Sequence, residues 1–269
     1  MKILLTLAAV AAMTGSAFAA DMAPRTYAKA PPVASATSWT GCWISGGGGY
    51  GLYRVDHDER IVGFGQNVLN ATAGGDGWLA TAGAGCDYQF GGRWVLGAFA
   101  DGTWSDIKGD QMVRISGMGD STIGRLSNDW SWAVGGRIGY LVAPSVLSYF
   151  NAGYTQAHFK QVDFYGSATP LDFTGGSIPA QRFDGFFVGT GIEYAFDGLP
   201  GLFLKGEGRA AYYSRKEAIP FCSTAGTICA AAGAGAFTGD VDSRRPIVYT
   251  TKLELVYRFN WGGPVVAKY

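Results

Sequence analysis

Residues 201–213 read GLFLKGEGRAAYY. Lys205, Glu207 and Arg209 take every second place, and Leu202, Leu204, Gly206, Gly208, Ala210 and Tyr212 fill the alternate ones. A period of two sends successive side chains to opposite faces, so the stretch is a β-strand with one charged face and one apolar or small face. In a water-soluble protein the apolar face would pack inward. The remainder of the chain argues for the reverse.

Strand character recurs in eight segments, at about residues 40–53, 77–90, 93–105, 129–142, 146–159, 183–196, 201–213 and 247–259. Segment 77–90 sets Trp78, Ala80, Ala82, Ala84, Cys86, Tyr88 and Phe90 against Thr81, Gly83, Gly85, Asp87 and Gln89. Segment 247–259 sets Ile247, Tyr249, Leu253, Leu255, Tyr257 and Phe259 against Lys252, Glu254 and Arg258, in the same phase as 201–213. Only 146–159 has both faces mixed. Connections after the second, fourth and sixth segments are tight and carry Gly or Pro: FGGR, APS and DGLPG. The others run to roughly 20–30 polar, Gly-rich residues. Long loops at one end and tight turns at the other mark an outer-membrane barrel.

The ends and the composition agree. Lys2, the apolar run ILLTLAAVAAM and the A-x-A site Ala17–Phe18–Ala19 predict a secretory signal peptide over 1–19. A retained helical anchor is the alternative, but the run is short for a span and ends in a cleavable site. Residues 20–38 are Pro- and Ala-rich and predict a periplasmic linker, leaving 39–269 as the barrel domain. After the leader no apolar run reaches the length of a spanning helix, so a membrane form must be a closed barrel. Glycine is abundant, 42 of 269 residues, about twice the usual share of roughly 7%. Taking Lys2 from the 21 basic residues leaves 20 against 21 acidic ones, a net charge near −1 that excludes a nucleic-acid footprint.

With lipid outside, the charged face becomes the lumen. It would hold five acids, Asp87, Asp101, Glu193, Glu207 and Glu254, and five bases, Arg137, Lys205, Arg209, Lys252 and Arg258. Buried charges persist when paired, and an eight-stranded barrel is just wide enough to be filled by side chains. The expectation is therefore a lumen plugged by ion pairs. Aromatics near the strand ends (Trp78, Trp94, Trp104, Trp130, Tyr194, Phe196, Tyr257, Phe259, Trp261) are candidates for the interfacial girdles.

Four cysteines in an exported chain suggest disulfides. Cys222 and Cys229 would close a small ring in the last long loop. A register pairing Tyr53 with Gly77 places Cys42 opposite Tyr88, two residues from Cys86, which leaves a second bridge open without requiring it. DHDE, Asp56–Glu59, falls at the start of the first long loop, where a solvated charge cluster is the ordinary reading and a divalent cation site the sharper one. GGGGYG, Gly46–Gly51, fits G-x-G-x-x-G formally, but no helix follows it, so packing glycines in a strand account for it. No nucleophile or acid–base set is recognisable at the loop rim, so no enzyme, cofactor or metal is expected. LELVYRF ends at Phe259 in the aromatic form of an assembly signal, yet the chain continues to Tyr269.

WTGCWISGGGGYG, DGFFVGTGIEYAF and KLELVYRFNWGGPVVAKY together resemble the first, sixth and last strands of the RopB-like alphaproteobacterial outer-membrane β-barrel family. The resemblance covers nearly the whole mature chain and puts Glu193 at an inward acidic position. Cys42 stands where that family usually has an aromatic. It implies an abundant, structural outer-membrane barrel, in some members a surface antigen or weakly porin-like, with no catalytic residues to carry over.

The overall expectation is an all-β, eight-stranded antiparallel up-and-down transmembrane barrel with four long extracellular loops. Its role would be envelope integrity or surface interaction, with a small channel or weak porin as the alternative and a soluble lipocalin-like barrel as a more remote one. The expected partners are outer-membrane lipid and lipopolysaccharide, the barrel-assembly machinery, and a host or envelope ligand on the loops.

Overall fold

In the computed structural model of the chain, the described residues are 38–61, 65–114, 121–166, 173–218, 221–222 and 240–259. They form the strands β1 (Gly41–Ile61), β2 (Gly65–Phe90), β3 (Trp94–Arg114), β4 (Ser121–Ala143), β5 (Val146–Phe159) and β6 (Val162–Gly166). There follow β7 (Phe173–Ile178), β8 (Gln181–Ala195), β9 (Leu202–Tyr213), β10 (Lys216–Ala218), β11 (Phe221–Cys222) and β12 (Asp240–Phe259). Eight of these close into an antiparallel ring, β1-β2-β3-β4-β5-β8-β9-β12, with β12 returning to β1. The short β6, β7 and β11 extend the sheet from β4 at the loop end, and β10 pairs with β12.

Three tight turns join the other end. Gly91 and Gly92 (φ 56° and 76°) and Gly201 (φ 85°) adopt backbone conformations that a side chain would strain. Along β1, Gly49, opposite Lys252, lies so close to β12 that an added Cβ would be 2.0 Å from the Thr251 carbonyl oxygen. Gly47 is placed the same way against Leu253, so close approach of β1 to β12 explains these two glycines of the run.

Outward residues lie at two aromatic levels. Phe90, Trp94, Tyr140, Tyr194, Tyr257 and Phe259 ring the tight-turn end, while Tyr50, Trp78, Trp104, Trp132, Phe186 and Tyr249 ring the other. Trp261 lies outside the described residues. Ten steps from Tyr249 to Phe259 at about 3.3 Å make about 33 Å of strand. A tilt of about 40° reduces that to about 25 Å, the height of a lipid-facing band.

Two expectations are corrected. The first and second long connections are mostly strand, since β1, β2, β3 and β4 run well past the segments expected from the sequence, and β12 likewise starts before its expected segment. Above the upper aromatic ring the polarity inverts. Outward on β1, Ile44, Tyr50 and Leu52 give way to Arg54 and Asp56, while inward Tyr53 and Val55 replace Trp43 and Ser45. An apolar inner core there, including Val55, Ile107, Leu126, Phe159, Phe183 and Val248, holds the extension together in water as an ordinary soluble core would. The β1–β2 register also differs: Tyr53 faces Gly75, not Gly77. Both strands continue beyond this pairing, as far as Ile61 opposite Gly65, and register shifts intervene between His57 and Arg60. A shift of two leaves every side chain on its own face.

Candidate functional site: the filled lumen

Arginines and carboxylates alternate around the lumen near the tight-turn end. Arg137 donates from Nε to Asp87 Oδ1 (2.8 Å) and from Nη1 to Glu193 Oε2 (3.1 Å). Arg258 donates from Nη1 to Asp87 Oδ2 (2.6 Å) and from Nη2 to Glu193 Oε1 (2.9 Å). Asp87, Arg137, Glu193 and Arg258 thus form a closed quartet in which each guanidinium bridges both acids, and every member is buried. Gly97 makes room for it, since a Cβ there would lie 1.9 Å from Asp87 Oδ1.

A second group lies deeper along the same strands. Arg209 grips Asp101 with two hydrogen bonds (3.1 and 2.7 Å) and donates from Nε to Glu207 (3.0 Å). Glu207 also accepts from the Tyr149 hydroxyl (3.0 Å) and the Asn151 amide (2.8 Å). Lys252 reaches Asp101 at 3.4 Å. Between the groups Lys205 pairs with Glu254, which also accepts from Ser45. All ten lumen candidates therefore lie inside and take part in these contacts.

Sequence reasoning counted the charges and missed the rings between them. Arg137 lies over Trp43 (4.7 Å) and Tyr149 (5.1 Å), Arg209 over Phe187 (4.3 Å), and Arg258 over Phe203 (5.2 Å). Cation–π contact of this kind strengthens when desolvated. The signal was available, because Trp43, Phe187 and Phe203 fall in the inward phase of their strands. Segment 146–159 looked mixed for the same reason: Leu147, Tyr149, Asn151, Thr155 and Phe159 are all inward. Arg244 is a further buried base, opposite His57 and beyond the expected eighth segment.

The tight-turn mouth is closed by Trp39, which is fully buried. Its indole N–H donates to the Pro144 carbonyl (3.2 Å), its backbone N–H to Gln89 Oε1 (3.2 Å), and its carbonyl accepts from Arg258 (2.9 Å). Toward the loop end a cavity of about 20 Å³ beside Asp101, Arg209 and Lys252 has room for about one water. Above it the buried rings of Tyr53, Phe159 and Phe183 meet edge to face. The Tyr53 hydroxyl donates to the Leu126 carbonyl (2.8 Å), and burial raises its pKa well above the usual tyrosine range.

The remaining candidates fall elsewhere. Cys42 and Cys86 face each other directly and are disulfide-bonded on the outer wall. Cys222 ends β11, but its expected partner Cys229 lies outside the described residues, as do Tyr269, the leader and all of the linker but Ser38. Phe259 closes β12 and meets Tyr257 edge-on (5.2 Å). The DHDE stretch is strand, not loop, so alternation separates its members: His57 is inward, while Asp56 and Asp58 pair outward with arginines. Among the described residues no three metal-ligating side chains converge. Outside, near the loop end, His158 stacks on Trp130 and contacts Asp129 (2.6 Å). Asp184 is drawn down to about 2 by the Gln156 amide, then by Lys216 and the Tyr154 hydroxyl.

Comparison with known proteins follows the same lines. The family described as Autotransporter beta-domain matches residues 27–206. No curated protein matches the sequence. Among solved structures, the outer membrane protein OprG from Pseudomonas aeruginosa superposes with a TM-score of 0.53 at 15% identity, over 82% of this chain and 97% of OprG. Weaker superpositions are found with Neisserial surface protein A (TM-score 0.38, 15% identity, 80% and 99% covered) and the outer membrane protease OmpT from Escherichia coli (0.42, 10%, 81% and 97%). The OprG likeness establishes the fold of an outer-membrane barrel. With well over half of its length matched, the chain belongs to the Autotransporter beta-domain family.

Proposed function

We propose that this protein is a sealed, non-enzymatic barrel of the Gram-negative outer membrane that serves envelope integrity and presents its loop end to the cell exterior. The supporting observation is the buried Asp87–Arg137–Glu193–Arg258 quartet, which occupies the cross-section that a solute would have to pass. Trp39 below it and the edge-to-face rings of Tyr53, Phe159 and Phe183 above it add two further obstructions. In this reading the leader 1–19 is cleaved on export, 20–38 lies in the periplasm, and the assembly machinery reads Phe259 or Tyr269. The RopB-like resemblance supports the same envelope role. Lipopolysaccharide and a host or envelope ligand on the loops are the proposed partners, and no cofactor is involved.

Fractionation to the outer membrane with heat-modifiable gel migration tests the location. Planar-bilayer recording of the refolded protein tests the seal. Stable openings of porin size would overturn it in favour of a channel.

A further inference from the structure

Outside the barrel, one stretch of the lipid-facing wall is recessed. Gly208 and Ala210 of β9, with Thr190 and Thr251 beside them, floor a groove of about 590 Å³. Phe150 and Val188 stand on one side, and Tyr50, Leu52 and Tyr249 on the other. A Cβ added at Gly208 would meet nothing within 4 Å, so the floor is set back from its walls. Val188 and Tyr249 are two strands apart, about 10 Å, a width suited to extended hydrocarbon.

The groove rises toward a charged collar. Arg54 lies two residues above Leu52, and Arg245 four above Tyr249. Both converge on one carboxylate: Arg54 Nε is 3.0 Å and Arg245 Nη2 3.6 Å from the Asp56 oxygens. Both arginines remain half-exposed, at 58% and 52%, so one acid leaves a surplus positive charge directed outward. Around them Arg182, Arg215 and Lys216 stand against Asp58, Asp184 and Glu217. On β2, beside β1, exposed Asp76 lies opposite Leu52 and accepts from the Tyr50 hydroxyl, while farther round, on β3 and β4, Asp106 and Asp110 match Lys108 and Arg125. The two converging arginines thus stand above the groove, just beyond the upper aromatic ring, where headgroup phosphates lie.

We infer that this wall is a binding site for one phosphorylated, multiply acylated glycolipid of the outer leaflet, with an acyl chain in the Gly208–Ala210 groove and a phosphate on Arg54 and Arg245. The assignment rests on the outward orientation of the loop end proposed above. A phosphate matches two converging guanidiniums, and an acyl chain matches a groove continuous with them.

The test uses the full-length protein, refolded into phosphatidylcholine nanodiscs containing bisphosphorylated lipid A, dephosphorylated lipid A or phosphatidylglycerol, then released for native mass spectrometry. Wild type should retain one bisphosphorylated lipid A. Retention should fall about tenfold for the dephosphorylated lipid and for R54E/R245E, and also for Ala210→Trp, which fills the floor. Equal retention by the variants, or of the dephosphorylated lipid or phosphatidylglycerol, would overturn the site. So would a dimer that Ala210→Trp abolishes, because a second copy would then occupy the groove. Heat-modifiable migration checks that each variant is folded. A protein that folds yet retains no lipid refutes the site alone, whereas failure to reach the outer membrane in cells refutes the reading beneath it.

Discussion

Replacing Arg137 by Met removes one of the two cations that bridge Asp87 and Glu193 and leaves Arg258 alone between two buried carboxylates. The size of the effect reports what fills the lumen. Two unit charges about 4 Å apart interact by about 4 kcal/mol at an effective dielectric of 20, but by about 1 kcal/mol in water. Both acid side chains are fully buried and Arg137 is 2% exposed, which places the quartet in the first regime. Breaking a buried pair typically costs about 3–5 kcal/mol because the remaining charge is stranded, and the contacts with Trp43 and Tyr149 are lost too. R137M should therefore destabilise the barrel by about 3–5 kcal/mol. R137M/E193Q leaves Asp87 opposite Arg258 with balanced charge, and should be more stable than R137M by about 2 kcal/mol. Urea unfolding in lipid vesicles, followed by tryptophan fluorescence, measures both. A loss near 1 kcal/mol for R137M, with additive effects in the double variant, would mean that water screens these charges and the lumen is open.

Leu253 lies near mid-height of the lipid band and is exposed, so Leu253→Arg should destabilise the vesicle-inserted barrel by about 2–4 kcal/mol, whereas Leu253→Ile should unfold at nearly the wild-type urea concentration. Gly97→Leu puts a branched side chain where Asp87 Oδ1 sits, and should reduce the yield of folded protein on a heat-modifiability gel, while the same change at exposed Gly198, where a Cβ meets nothing within 4 Å, should matter less. Removing the Cys42–Cys86 bridge, at a sequence separation of 44, should lower stability by up to about 4 kcal/mol on the loop-entropy estimate, yet the reduced protein should still show the folded band. Deleting residues 262–269 should leave assembly intact if Phe259 is the residue read; loss of all folded protein from the outer membrane would transfer that role to Tyr269.

The alternation on 201–213 and 247–259 was legible because lipid and a charged lumen impose opposite chemistry on successive residues within the membrane band. Above Tyr53 and Tyr249 that contrast reverses. Arg54 and Arg245 turn outward to water while Val55 and Val248 turn inward, and a reading that follows one phase sees the strands end there. Register was hidden for a different reason. A period of two survives a shift of two, so nothing local distinguishes Cys42 opposite Cys86 from Cys42 opposite Tyr88. The aromatic partners of the arginines were visible as residues but not as contacts, since stacking over Phe187 or Phe203 depends on how the ring of strands closes.

Trp39 bears on how the barrel carries load. It is fastened at three points that belong to different parts of the circumference: Gln89 beside the first tight turn, Pro144 in the second, and Arg258 on the last strand. Tension arriving along the preceding chain would be shared by these anchors before any of it could peel β1 from β12. The weakest direction of an antiparallel ribbon, unzipping one hydrogen bond at a time, is thereby converted into shear across several strands. The residue that stoppers the mouth is also a rivet, and a pull on the amino-terminal side should meet the strength of the whole ring instead of that of a single seam.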